Sequence, residues 1–185
     1  MRIKGLDSST KWVVTAFVAA VCMVYSRREQ VVVPFYVLGA LVTAFMGKGL
    51  KRILRVARPN ASSKRDYGMP SSHGTSAGYL VTSAGFGIMT QVSSNWVLVI
   101  YVAVHTVGLT VCALRYFAGH HTVPQLAVGY FFGFAMAHIV KYLDSDVLGG
   151  VDVASSQQQK DVILLLFVVN VVVFGVKYTR KWLRE

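Results

Sequence analysis

Three stretches of the chain carry side chains able to act on an anion. In MGKGLKRILRVARPN, residues 46–60, Lys48, Lys51, Arg55 and Arg58 follow one another at spacings of three, four and three. That spacing puts four cations on one helix face. Pro59 marks the exit, because it disfavours helical backbone at Arg58. Four like charges so close together call for a neutralising partner, either a bound anion or the headgroups at a membrane surface. In MPSSHG, residues 69–74, Ser71 or Ser72 suits a helix N-cap. The unpaired N–H groups of the first turn, out to Gly74, then form an anion site with His73 beside it. In LRYFAGHHTVPQ, residues 114–125, Thr122 suits a second cap and Pro124 the first turn after it. His121 and Gln125 are four apart and share a face, with Arg115 close in sequence. Taken alone, His120-His121 fits a pH-sensitive contact, a pair of metal ligands or a catalytic group.

The elements that must position these residues are set by an apolar composition. Of 185 residues, 54% are hydrophobic and 15% charged, with a mean hydropathy of +0.51. That excludes an ordinary soluble domain. The net charge of +11, in so apolar a chain, points to lipid headgroups or phosphates and not to nucleic acid. Six apolar runs read as membrane-crossing helices: Trp12–Tyr25, Val31–Met46, Ser76–Thr90, Trp96–Leu114, Val123–Val140 and Val162–Tyr178. Helices are the default because backbone groups in lipid must be paired within their own segment. The β-branched run VILLLFVVNVVVFGV reads as lipid-facing helix for that reason. The fold expected is therefore an all-α, polytopic bundle of about six transmembrane helices. It forms a single domain over 1–185 with its motif core at 48–140.

Other residues have blander roles. Gly74/Gly78 and Gly129/Gly133 are GxxxG pairs suited to close helix packing. Cys22 and Cys112 sit in apolar runs as small hydrophobes, and no Cys/His metal spacing occurs. His105 and His138 fall inside apolar runs and read as neutral, hydrogen-bonded helix residues. Asp144–Lys160 reads as an exposed connector. The polar first ten residues show no cleavable signal peptide.

Read in order, the three stretches are Lys51-x6-Arg58-Pro59, Pro70-Ser71-Ser72-His73 and Arg115-x5-His121-x3-Gln125. This resembles the three-part signature of the type-2 phosphatidic-acid phosphatase superfamily, which shares its core with vanadium-dependent haloperoxidases and bacterial acid phosphatases. The superfamily pattern is Lys-x6-Arg-Pro, Pro-Ser-Gly-His and Ser-Arg-x5-His-x3-Asp. Here Leu114 stands for the Ser, Ser72 for the Gly and Gln125 for the Asp. Gly68 to His73 together with the Gln resembles the dolichyl-diphosphatase branch, a look that some plastid-type lipid phosphate phosphatases share.

The resemblance implies roles. His121, selected over His120 by the spacing from Arg115, would attack phosphorus and form a phosphohistidine. His73 would be the general acid. Lys51, Arg58, Ser71, Ser72, Gly74 and Arg115 would hold the phosphate by charge and by backbone N–H groups. No metal or cofactor is called for, because the cations supply the charge. Gln125 would orient His121. In a Ser-His-Asp triad an amide in the acid's place costs about 10⁴ in rate through the wrong tautomer, but Gln can turn its carbonyl oxygen to the imidazole N–H. It keeps the orientation and loses the charge, which suits the better leaving group of a diphosphate.

The implied substrate is dolichyl or another polyprenyl diphosphate, hydrolysed to the monophosphate and inorganic phosphate in the endoplasmic reticulum to recycle the glycan carrier for N-glycosylation. A broad phosphatidic-acid or lipid monophosphate phosphatase, and a non-catalytic lipid-binding scaffold, are the alternatives. Orientation is contested. Six spans put 15 Lys/Arg on the motif side and four on the other, and positive-inside counting sends the motifs to the cytoplasm. The resemblance implies a lumenal site.

Overall fold

The computed structural model describes residues 32–59, 66–89, 94–148 and 156–182. Among these, all regular structure is helical. Five long helices follow in order: α1, Val32–Leu54; α2, Ser72–Met89; α3, Ser94–Phe117; α4, Val123–Tyr142; and α5, Gln157–Trp182. Each of the last five apolar runs lies in one of them, apart from Val31 and Thr90, which fall outside the described residues. The first, Trp12–Tyr25, falls outside the described residues. Three of these are long and apolar enough to cross a membrane: Val33–Leu54, Asn95–Phe117, and Val123–Asp146, which joins α4 to the turn after it.

Of the two helices outside that set, α2 is the centre of the bundle. α2 packs against α1, α3 and α4. It buries Gly74, Thr75, Ala77, Gly78, Thr82, Ser83, Ala84, Gly85 and Gly87, small residues spread around its circumference. A helix sheathed by its neighbours has no need of lipid-facing bulk, and small side chains let those neighbours come close. Large apolar residues such as Phe45, Leu98, Phe131 and Leu165 instead stand exposed on the surrounding helices, where lipid would cover them.

α2 and α4 make the closest approach. A Cβ on Gly74 would lie 2.8 Å from the Leu126 carbonyl oxygen, and one on Gly129 2.6 Å from that of Ser71. Cβ atoms on Gly78 and Gly133 would overlap the carbonyls of Tyr130 and Thr75 outright. Both GxxxG pairs thus meet backbone to backbone across one crossing. Each of the intramembrane histidines has a hydrogen-bond partner at Nδ1. His105 Nδ1 lies 2.7 Å from the Tyr130 hydroxyl, and His138 Nδ1 donates to the Phe134 carbonyl at 3.0 Å.

Two expectations change. The four cations do not share a helix face, because α1 stops at Leu54 and Arg55 turns to a positive φ of 50°. Lys48 stays exposed over the Phe45 ring, Arg55 folds back to the Arg52 carbonyl, and only Lys51 is buried on the helix. Arg58 lies in the non-helical segment beyond it. The connector is also shorter than expected. α4 runs on into a π-helical turn, Leu143–Val147, and Asp144 is buried there within 3.7 Å of Lys141 and 3.3 Å of the Tyr36 hydroxyl. Gln157–Lys160 already belong to α5.

The glycine crossing makes a direct prediction. Alanine normally stabilises a helix interior by about 0.5–1 kcal/mol over glycine. Gly49→Ala, with nothing within 4 Å of its Cβ, should be neutral or stabilising in thermal unfolding in detergent. Gly78→Ala and Gly133→Ala should instead lose about 1–3 kcal/mol through overpacking. Equal melting temperatures for all three variants would rule out the backbone contact as a constraint.

Candidate active site

One end of the bundle collects the C-terminus of α1, the N-terminus of α2, the C-terminus of α3 and the N-terminus of α4. The α2–α4 crossing brings the two N-termini side by side, and the Ser71 N–H donates to the Gln125 carbonyl at 3.0 Å. Ser71 is the cap. Its carbonyl accepts from Thr75 N–H at 2.8 Å and its Oγ from Gly74 N–H at 3.3 Å, which leaves a donor of that turn already occupied at Gly74. Ser71 is fully buried, whereas Ser72 begins the helix with its side chain exposed.

His121 is buried just before α4, and its two ring nitrogens face opposite partners. Nδ1 lies 3.3 Å from Gln125 Oε1. That oxygen also accepts the Thr122 N–H at 3.2 Å, while Gln125 Nε2 donates to the Ala57 carbonyl at 2.7 Å. An amide N–H needs an acceptor and a carbonyl oxygen a donor, so the Ala57 carbonyl and the Thr122 N–H orient the Gln125 amide unambiguously. Its oxygen faces His121, and Nδ1 therefore carries the imidazole proton. On the other side, Nε2 lies 2.8 Å from Arg58 Nη1. A guanidinium only donates, so Nε2 presents its lone pair. The ring is held in the tautomer a nucleophile needs.

The same surroundings keep it uncharged. Burial lowers the His121 pKa first, the Arg58 charge lowers it further, and Lys51 and Arg115 add to that. The Gln125 hydrogen bond opposes them, and the result is a pKa of about 4.

Arg58 and Lys51 share one further partner. Asp66 accepts from Arg58 Nε at 2.9 Å, from Arg58 Nη2 at 3.0 Å and from Lys51 Nζ at 3.1 Å. Burial raises the Asp66 carboxyl, but the hydrogen bonds and charges of Arg58 and Lys51 outweigh it and hold it at about 2. Arg58 Nη1 donates also to the His120 carbonyl at 3.2 Å, so at this point His120 serves through its backbone. Arg115 is buried at the end of α3, and its Nη2 lies on the His73 ring, 3.2 Å from Nδ1 and nearer Nε2. Each histidine thus has an arginine seated on it.

Lys51, Arg58, His73, Arg115, His121 and Gln125 therefore meet at one end of the bundle. Residue-type reasoning missed Asp66 and the Ala57 carbonyl. Ala57 could not have been found, because a backbone carbonyl leaves no mark in a sequence. Asp66 did leave one: it is the sole acidic residue between Glu29 and Asp144. Among the described residues no group of three or more His, Cys, Asp or Glu is placed to hold a metal ion.

No family model matches the chain. It is 30% identical over 122 residues to lipid phosphate phosphatase epsilon 2, chloroplastic, of Arabidopsis thaliana, and 29% identical over 121 residues to lipid phosphate phosphatase epsilon 1, chloroplastic, of the same plant. Each match covers 65% of this chain, and 41% and 42% of the two relatives. The chain thus spans about two fifths of the length of these curated relatives. In fold it is similar to the transmembrane PAP2-type phosphatidylglycerolphosphate phosphatase of Bacillus subtilis, with a TM-score of 0.61 at 15% identity and 80% of each chain covered. The apolar helices and the membrane-protein fold make it an integral membrane protein. With three ordered motifs converging at the end of that fold, and with relatives that are themselves lipid phosphate phosphatases, the chain is similar in sequence and in fold to the type-2 phosphatidic-acid phosphatase superfamily.

Proposed function

We propose that the protein is a membrane lipid phosphatase that removes the terminal phosphoryl group of a lipid phosphate by way of a phosphohistidine on His121. The observation that carries this is the His121 ring itself: Nδ1–H held on Gln125, and the Nε2 lone pair directed at a cation-lined space. The incoming phosphoryl oxygens draw Arg58 and Arg115 off the two imidazoles they rest on. His121 Nε2 then attacks phosphorus, the bond from phosphorus to the lipid oxygen breaks, and His73 gives that oxygen its proton. In the second half a water attacks, passes its proton to His73, and the P–N bond breaks to release phosphate. Lys51, Arg58, Arg115 and the first turn of α2 at Ser72 neutralise charge on the equatorial oxygens, while the N–H groups of Ser71 and Gly74, expected to take part, are already spent on the Gln125 backbone carbonyl and on Ser71 Oγ. The proton on Nδ1 stays where it is throughout, and the Gln125 carbonyl stabilises the charged ring as a dipole.

The curated relatives favour a lipid phosphate as substrate. A second reading, dolichyl or polyprenyl diphosphate in the endoplasmic reticulum, is favoured by Gln125, since an uncharged orienting group activates the nucleophile less and a diphosphate leaves more readily. Phosphate release in detergent from phosphatidic acid and from polyprenyl diphosphate, with chelator present, separates the two. Release from at least one lipid is expected, abolished in His121→Ala and reduced about 10²–10⁴-fold in His73→Ala, the usual worth of a general acid. Equal release by His121→Ala would end the phosphohistidine mechanism. Silence with every lipid would leave a lipid-binding scaffold, and loss of activity on adding chelator would overturn the metal-free scheme.

The site opens, on this reading, to the lumenal or external side. Asn60–Lys64 lies outside the described residues, but Tyr67 is exposed at the rim. In a background with Cys22 and Cys112 replaced, Tyr67→Cys should react with an impermeant thiol reagent added from that side. Labelling only after permeabilisation would favour the cytoplasmic placement that the Lys/Arg count suggests.

His121 also has a pH signature. Its folded pKa of about 4 lies below the ordinary value of 6.5. Between those values the unfolded chain binds a proton that the folded chain refuses. The stability contribution is therefore complete above pH 6.5 and is lost as pH falls towards 4. In nitrogen-15 spectra of histidine-labelled protein, His121 should titrate near 4 as the Nδ1–H tautomer, and Arg58→Gln should move the midpoint up. A midpoint near 6.5 in the unaltered protein would contradict the described burial and charge.

A further inference from the structure

The sole acid in the long stretch between Glu29 and Asp144 sits on the two cations that the proposed reaction needs most. The side chains of Lys51 and Arg58 are 9% and 6% exposed, whereas that of Asp66 is 55% exposed. The cations are thus fixed in the pocket and the carboxylate closes it from the solvent side. Its two oxygens span Lys51 Nζ and the Nε–Nη2 edge of Arg58, the same bidentate edge that a phosphoryl group uses.

Counting donors shows that the Nε–Nη2 edge of Arg58 cannot serve both anions. A guanidinium has five N–H groups. Arg58 spends Nε and one Nη2 hydrogen on Asp66, and the two Nη1 hydrogens on the His120 carbonyl and on His121 Nε2. A phosphoryl group over His121 displaces the last of these. It then finds one hydrogen on each terminal nitrogen, while the Nε–Nη2 edge remains closed. Lys51 has donors to spare beyond the one on Asp66, but to be held by the Nε–Nη2 edge a phosphoryl must evict Asp66, and a doubly charged phosphoryl beside a carboxylate would repel it in any case.

A resident competitor makes sense at a membrane surface. Two buried cations without a partner are costly and would attract the singly charged phosphodiester headgroups that crowd the bilayer. An intramolecular carboxylate of equal charge holds the same donors without the entropic cost of association. A phosphodiester, with one charge and two free oxygens, gains nothing by replacing it. A terminal phosphoryl, with up to two charges and three free oxygens, does.

We propose that Asp66 is a specificity-determining residue, a carboxylate seated on Lys51 and Arg58 that a terminal phosphoryl group displaces and a phosphodiester does not. The proposal rests on the reading of this pocket as the phosphate site, and its test is a binding measurement that needs no turnover. The full chain in detergent is titrated calorimetrically with inorganic phosphate and with dimethyl phosphate, as wild type, Asp66→Asn and Asp66→Glu. Wild type should bind phosphate and not dimethyl phosphate. Asp66→Asn should bind phosphate about tenfold or more tightly, a gain of about 1.4 kcal/mol, and should now admit dimethyl phosphate. Asp66→Glu should restore the discrimination. Weaker phosphate binding by Asp66→Asn would show that the carboxylate supports the cations without competing, and would overturn the proposal. So would continued exclusion of dimethyl phosphate, or no phosphate binding by any of the three proteins. Selective phosphate binding with no release from any lipid would sink the phosphatase reading and leave the filter standing.

Discussion

The site depends on the backbone-to-backbone crossing of α2 and α4. At Gly74, Gly78, Gly129 and Gly133 the two helices approach so closely that each glycine faces a carbonyl of the other. That contact lets the Ser71 N–H reach the Gln125 carbonyl, which sets the two helix N-termini in fixed register. His73 on one and His121 before the other then face a common space. A methyl group at the crossing would part the helices by several tenths of an ångström, and a near-attack geometry tolerates little of that. The small residues of α2 thus set the geometry of the candidate site as much as the packing.

Charge determines the rest. Lys51, Arg58 and Arg115 are all buried or nearly so, and each has its charge directed at a histidine or a carboxylate. Arg58 links three parts of the chain at once: the Asp66 loop, the His120 carbonyl and the His121 ring. It depresses the His121 pKa and, by donating to Nε2, selects the tautomer. Gln125 completes that selection from the other side, with its amide turned by the Ala57 carbonyl. A neutral group in an acid's place can orient an imidazole only if its own two ends are told apart, and here the backbone does that.

Several features were legible without coordinates because they depend on local spacing. Arg115-x5-His121 singles out one histidine of a pair through its resemblance to the superfamily pattern; His121-x3-Gln125 places two side chains on one face; Thr122 and Pro124 mark a helix start. The GxxxG pairs carried their meaning through glycine's lack of a side chain. The shared face of Lys48, Lys51, Arg55 and Arg58 was not legible in the same way. Helical spacing presumes a helix, and α1 ends at Leu54 with Arg55 at positive φ. Breaking the helix there is what frees Arg58 to turn towards Asp66 and His121.

The sequence by itself determined the apolar helical class and the three spaced motifs whose resemblance to one superfamily points to His121, because each is a matter of composition or of residues a few positions apart. Only the tertiary structure decided which cations enter the site, which way the Gln125 amide points, and that a carboxylate occupies the cradle. Those depend on contacts across 8, 15, 63 and 68 positions of chain. Hydrogen-bond direction and charge pairing at such separations are set by where helices end and cross, and spacing within one helix carries no record of either.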